Sequence, residues 1–178
     1  MTIRLPLSAE SVPSQLPDLP LMCLRKAESM STTEAFHGKN TVIDFWTTKC
    51  TNCPDALDKL NELASVPKYA NVSFASICCD KLDGAREILE KDDTPRWENI
   101  SHYFMDEEHK EEAKKILGFK TVPFYVVLDA NAQIVQLGSP KQVDLSIVPG
   151  AVNEEESKDS TEEQTIVVER EFIMDDDF

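Results

Sequence analysis

Residues 41–53 read Thr-Val-Ile-Asp-Phe-Trp-Thr-Thr-Lys-Cys-Thr-Asn-Cys, and they constrain the fold more than any other stretch of the chain. Val42, Ile43, Phe45 and Trp46 form a nearly continuous β-branched and aromatic run, the pattern of a strand buried on both faces of a sheet. Asp44 is the single charge inside that run. A carboxyl among apolar groups loses its hydration, so its pKa rises and it becomes a candidate proton store or base for whatever stands at the strand end. Cys50 stands there.

Cys50 and Cys53 are separated by two residues, a spacing that brings two sulfurs within bonding reach across one helical turn and lets the pair cycle between dithiol and disulfide. Pro54 follows directly, and its ring would collide with the carbonyl of residue 50 if that residue lay inside a helix. A helix beginning at Cys50 is therefore predicted. Unpaired backbone amides and the helix macrodipole would favour a thiolate at that position. Lys49 adds a neighbouring cation.

The segment Asp44-Phe45-Trp46-Thr47-Thr48-Lys49-Cys50-Thr51-Asn52-Cys53 resembles the active-site segment of the thioredoxin-like superfamily. A second mark lies downstream, where Thr121-Val122-Pro123-Phe124 leads into the apolar run Tyr125–Leu128. It resembles the family's segment in which a cis proline precedes a core strand. Two departures stand out: Lys49 occupies the place of the usual aromatic residue, and Thr51-Asn52 replaces Gly-Pro or Pro-Pro. The interval of 73 residues from Cys50 to Pro123 is longer than in the minimal thioredoxin. The surplus falls near residues 83–105, which is similar to the branch with an inserted helix and strand that holds tryparedoxin, nucleoredoxin and the peroxiredoxins.

The resemblance implies an α/β thioredoxin fold, a central mixed β-sheet flanked by helices, with an N-terminal extension and an acidic C-terminal tail. It implies thiol-disulfide exchange in which Cys50 attacks, Cys53 resolves the mixed disulfide and Asp44 shuttles the proton that Cys53 needs. A cis bond at Val122–Pro123 would lie against the cysteine pair. Substrate would rest on Trp46, Lys49, Thr51, Asn52 and Val122, the first of these bracing the site. The implied partners are protein disulfides and an upstream thiol reductant, and neither metal nor organic cofactor is needed.

Along the chain, residues 1–20 hold Pro6, Pro13, Pro17 and Pro20 without helical period and read as an extended leader. Residues 21–149 read as one thioredoxin-like domain and residues 150–178 as an acidic tail. Leu21–Lys26 is a candidate first strand, and Ser31-Thr32-Thr33-Glu34 has the spacing of a capping box for a short helix ending near Gly38. Leu57, Leu60, Leu63 and Ala64 recur at helical spacing up to Pro67. Strands are expected at Val72–Cys79, Ile100–Met105, Phe124–Leu128 and Ile134–Leu137, the last two joined through a turn at Ala130-Asn131. Helices are expected at Asp83–Lys91 and Glu107–Leu117. Beyond Gly138 the apolar pattern stops, apart from Thr165–Val168, which is apolar enough for an edge strand or a partner.

The net charge is −15, and residues 150–178, with eleven acids and two basic residues, carry −9 of it. That balance opposes binding to a phosphate backbone or an anionic membrane surface. A run long enough to span a bilayer is absent, and Met1–Pro6 lacks a charged-then-apolar signal pattern. The expectation is a cytoplasmic home, where a close cysteine pair is catalytic or metal-binding rather than a structural staple. His37, His102 and His109 lack the paired spacing that would complete a four-ligand zinc site with Cys50 and Cys53. Cys23, Cys78 and Cys79 read as buried packing thiols. Two alternatives stay open: a redox-inactive binding module, and a peroxiredoxin-like peroxidase, for which Thr47 fits but Ile43 stands where a proline is required.

Overall fold

A computed structural model describes residues 13–152 of the chain. Seven strands form one sheet in the order β2-β1-β5-β4-β3-β6-β7. They are β1 (Pro20–Cys23), β2 (Glu28–Ser31), β3 (Asn40–Trp46), β4 (Val72–Cys78), β5 (Ser101–Phe104), β6 (Phe124–Leu128) and β7 (Ile134–Gly138). The β3–β4 and β4–β5 pairs are parallel and the remaining pairs antiparallel, giving a mixed sheet. The helices are α1 (Thr32–Phe36), α2 (Cys53–Ala64), α3 (Leu82–Leu89) and α4 (Glu107–Leu117).

Strand alternation divides β3 between two cores. Val42 and Trp46 pack with Leu57 and Leu60 of α2 and with Ala85 and Leu89 of α3. Ile43 and Phe45 face the other way, onto Phe36 of α1 and Ala113 and Leu117 of α4. This two-sided burial is why β3 reads as an unbroken apolar run. Each large side chain so buried contributes about 1.5–3 kcal/mol, which holds the strand end, and the loop that follows it, in a fixed place.

Helix ends follow local chemistry. The Ser31 hydroxyl accepts from the Glu34 amide while the Glu34 carboxylate accepts from the Ser31 amide, the expected capping box. Asp106 caps α4 by accepting from the His109 amide, and Gly118, at φ 74°, ends that helix in the left-handed conformation that glycine adopts most readily.

Three expectations need correction. The helix after the cysteine pair begins at Cys53, three residues later than predicted, because Pro54 forbids a helix that includes Cys50 in its interior yet is well tolerated in a first turn. The first strand ends at Cys23 and doubles back into β2 through Ala27, whose φ is 54°. Beyond Gly138 the chain remains part of the fold: Val143, Leu145 and Val148 are buried in the first core, and the Tyr69 hydroxyl donates to the Leu145 carbonyl over 3.0 Å. Residues ahead of β1 are tied down as well, with Leu19 buried and its amide donating to the Thr32 hydroxyl. The acidic run and Thr165–Val168 lie outside the described residues.

Candidate active site

Strand β3 delivers the chain to a tight loop, 47–52, in which the Cys50 amide donates to the Thr47 carbonyl over 3.2 Å. Asp80, just past β4, holds this loop from below. Its carboxylate accepts from the Thr48 amide at 3.0 Å and from the Thr48 hydroxyl at 2.6 Å. Burial alone would raise the Asp80 carboxyl, but the hydrogen bonds from Thr48 outweigh it and the group sits below the usual carboxylate value.

Cys50 and Cys53 are joined as a disulfide with their Cα atoms 5.4 Å apart. Cys53, the first residue of α2, is completely buried, whereas Cys50 is partly exposed. The partner open to an incoming molecule is therefore Cys50. It lies within one turn of the α2 N-terminus, where the macrodipole still acts. The Val122–Pro123 bond is cis, and the Val122 carbonyl oxygen lies 3.6 Å from Cys50 Sγ, so the two marks read 73 residues apart in sequence meet in space.

Asp44 is fully buried, and among the described residues neither carboxylate oxygen has a hydrogen-bond partner. Burial pushes its pKa well above the ordinary value. Asp44 stands between Val42 and Trp46 on β3 and opposite Tyr125 on β6. Those three residues and Cys53 share the first core, so strand alternation points the carboxyl to the same side of the sheet as Cys53.

Trp46 is buried and cannot touch a substrate directly, which limits it to the bracing half of the role expected of it. Its indole anchors a hydrogen-bonded chain. The Trp97 carbonyl can only accept, so at 2.9 Å His102 Nε2 must carry the proton. Nδ1 then accepts from the Ser76 hydroxyl at 2.7 Å, and Ser76 accepts from Trp46 Nε1 at 3.3 Å. Burial pushes the His102 pKa down to about 4, which keeps the ring neutral and this chain intact at neutral pH. Lys49, Thr51 and Asn52 are exposed, and Val122 is half-buried beside Cys50. Cys78 and Cys79 are buried thiols; burial raises Cys78 to about 12 and Cys79 well above its ordinary value, so neither serves as a ready nucleophile.

Two cavities flank the Cys50–Val122 contact. One, of about 460 Å³, runs from Lys49 and Cys50 to Lys110, Lys114, Phe119 and Lys120. The other, of about 500 Å³, is lined by Asp55, Lys59, Pro123, Tyr125, Ser139 and Lys141. Asn52, Thr121 and Val122 border both. The α4 lysines and Phe119 were not singled out in the sequence. The only available signal was the short spacing from α4 to Pro123, which brings that helix end close to the proline loop.

The Redoxin family model matches residues 11–152. The chain belongs to the Redoxin family. No curated protein matches the sequence significantly. Among solved structures, the thioredoxin domain of a thiol-disulfide oxidoreductase from Bacteroides vulgatus is 18% identical, with a TM-score of 0.59, over 72% of this chain and 89% of that one. A thiol-disulfide oxidoreductase from Bacteroides fragilis is 21% identical, with a TM-score of 0.55, over 73% and 90% respectively. A secreted disulfide oxidoreductase from Mycobacterium tuberculosis is 15% identical, with a TM-score of 0.52, over 78% and 90%. At these identities the likeness carries the fold. This Redoxin chain has a thioredoxin-like fold, with one mixed sheet between two helical layers.

Proposed function

We propose that this protein is a thiol-disulfide oxidoreductase that reduces protein disulfides through Cys50 and Cys53. The observation that carries this reading is the pairing of an accessible sulfur with a buried one, the accessible one beside the Val122 carbonyl that precedes the cis proline. In the dithiol form, the Cys50 thiolate attacks one sulfur of a substrate disulfide, forming a Cys50–substrate bond and releasing the other substrate sulfur as thiolate. Cys53 then gives up its proton and attacks Cys50 Sγ. The Cys50–Cys53 bond forms, and the second substrate sulfur leaves. Two electrons pass from the protein dithiol to the substrate, and an upstream dithiol reductant must return them.

Each residue then has a role. Asp44, whose affinity for a proton burial raises, is suited in its carboxylate form to accept the Cys53 proton through the interior and then return it. The Val122 carbonyl and Pro123 form the rim along which substrate backbone lies, with Lys49, Thr51 and Asn52 on the opposite lip. Reduction of disulfides suits a cytoplasmic setting, and the free thiols of Cys23, Cys78 and Cys79 support that placement.

A Cys53→Ser variant tests the reading. Without the resolving sulfur, substrates stay attached to Cys50 as mixed disulfides, which dithiothreitol releases. Recovery of such adducts on Cys50 is expected, and their absence with an unchanged fold would overturn the proposal.

A further inference from the structure

The chain carries a formal charge of −15, and residues 1–149 remain acidic, at −6, once the −9 of residues 150–178 is set aside. The cavity that opens at Cys50 is the reverse. Four lysines, Lys49, Lys110, Lys114 and Lys120, border it, and its lining includes no aspartate or glutamate. They come from three separate places: the loop before Cys50, helix α4, and the loop that leads to Pro123. Lys114 in the last turn of α4 has an independent helical reason, since a cation there complements the macrodipole. Lys49 and Lys120 lie outside any helix, and the macrodipole does not account for them.

The pairing of these lysines leaves charge available. Lys110 lies 3.3 Å from Glu107 and 3.7 Å from Glu111, and Lys114 lies 3.1 Å from the same Glu111 oxygen. Both of those glutamates are exposed, and ion pairs of this kind contribute about 0–1 kcal/mol, so a carboxylate arriving from outside competes with them. Among the described residues, Lys49 and Lys120 have no carboxylate within salt-bridge distance.

We propose that this lysine-bordered cavity selects polypeptide substrates that carry acidic residues beside the disulfide to be reduced. The inference rests on the exchange reaction above and names its substrate class. A polypeptide fits better than a small disulfide because the second cavity continues from the first past Asn52, Thr121 and Val122. An extended chain can cross Cys50 with a segment in each. The net negative charge of the chain opposes binding of the same substrate away from these lysines, which favours encounter at Cys50.

The test uses the full chain and three disulfide-bridged peptides of one length. Their cysteines are flanked by aspartates, by serines or by lysines, and oxidised glutathione serves as a small anionic disulfide. The aspartate peptide is expected to be reduced with a kcat/KM about tenfold above that of the lysine peptide at low salt, the low end of electrostatic steering. The ratio should shrink towards one at high salt. Glutathione disulfide should be reduced less efficiently than the aspartate peptide.

In a Lys110→Gln/Lys114→Gln/Lys120→Gln variant the aspartate-to-lysine ratio, taken within that variant, should fall towards one. A Lys120→Glu variant gives a second reading with a single substitution at an exposed position. Equal rates for the three peptides, a ratio indifferent to the lysine substitutions, or preferential reduction of glutathione disulfide would overturn the inference while leaving the exchange reaction in place. Failure to reduce any of the four disulfides would overturn the exchange reaction, and this inference with it.

Discussion

The Asp80 carboxylate accepts hydrogen bonds from both the amide and the hydroxyl of Thr48, fastening the loop that carries Cys50 to the end of β4. An alanine at 80 leaves the Thr48 amide without its partner and frees the loop. Asp80→Ala is expected to lower unfolding free energy by about 1–3 kcal/mol, the usual cost of losing hydrogen bonds to a charged group. Amide hydrogen exchange provides the sharper check. Thr48 should lose protection in the variant while β3 residues such as Ile43 keep theirs, and unchanged protection at Thr48 would contradict the fastening.

The pH dependence of stability separates two buried groups. An unfolded aspartate ionises near pH 3.9, whereas burial keeps Asp44 protonated in the fold to well above that value. Between those limits the unfolded chain sheds a proton that the folded chain keeps, so stability falls as pH rises. His102 acts in the opposite sense, titrating at about 4 in the fold against 6.5 in its ordinary state. Its contribution, about 3 kcal/mol, is present above pH 6.5 and is lost as pH falls towards 4. The two oppose each other as pH rises from about 4 to 6.5. Urea unfolding at stepped pH should show the acid-side loss due to His102 partly masked in the wild type by the opposite effect of Asp44. Asp44→Asn should remove that masking and steepen the loss between about pH 6.5 and 4. A variant that follows the wild-type profile throughout would refute the assignment to Asp44.

Ser76 sits between Trp46 and His102 in the buried hydrogen-bonded chain. Ser76→Ala strands the Trp46 indole N–H and His102 Nδ1 together, each at about 1–3 kcal/mol. A combined loss of about 2–6 kcal/mol is expected from thermal or urea unfolding, along with a changed Trp46 fluorescence spectrum. A near-neutral substitution would show that the chain does not hold the indole.

Gly150 tests whether the segment after β7 belongs to the fold. Its φ is 84°, and a side chain there would place Cβ 2.8 Å from the Asn71 carbonyl oxygen and 2.5 Å from the Asn40 amide nitrogen. Gly150→Ala should therefore cost about 2 kcal/mol or more, from left-handed strain together with the clash. Leu145→Ala should cost about 2–5 kcal/mol as a buried truncation. Stability unchanged in both would mean that residues 139–152 are not packed as described.

What the sequence discloses depends on how locally each feature is determined. Strand β3 is legible because burial on both faces leaves a continuous apolar run, and α4 is legible because Ala113 and Leu117 mark its buried face and Gly118 its end. The meeting of Cys50 with Pro123 was available only through resemblance, since nothing local joins residues 73 apart. The start of α2 was misplaced because Pro54 sets only the earliest permitted start. The β1–β2 hairpin was missed because its turn uses Ala27 at positive φ, without the glycine or asparagine that usually signals it. Val143, Leu145 and Val148 follow no regular period, so their burial was hidden. The lysine-bordered cavity draws on three segments and has no signature in any of them.

The account depends on Cys50 being the reactive sulfur of an exchanging pair, and its ionisation tests that most directly. In the reduced protein, the rate of alkylation by iodoacetamide is followed against pH, with Cys53→Ser used to isolate the Cys50 thiolate. The account predicts a midpoint for Cys50 well below the ~8.5 of a free thiol. A midpoint at or above that value would contradict it.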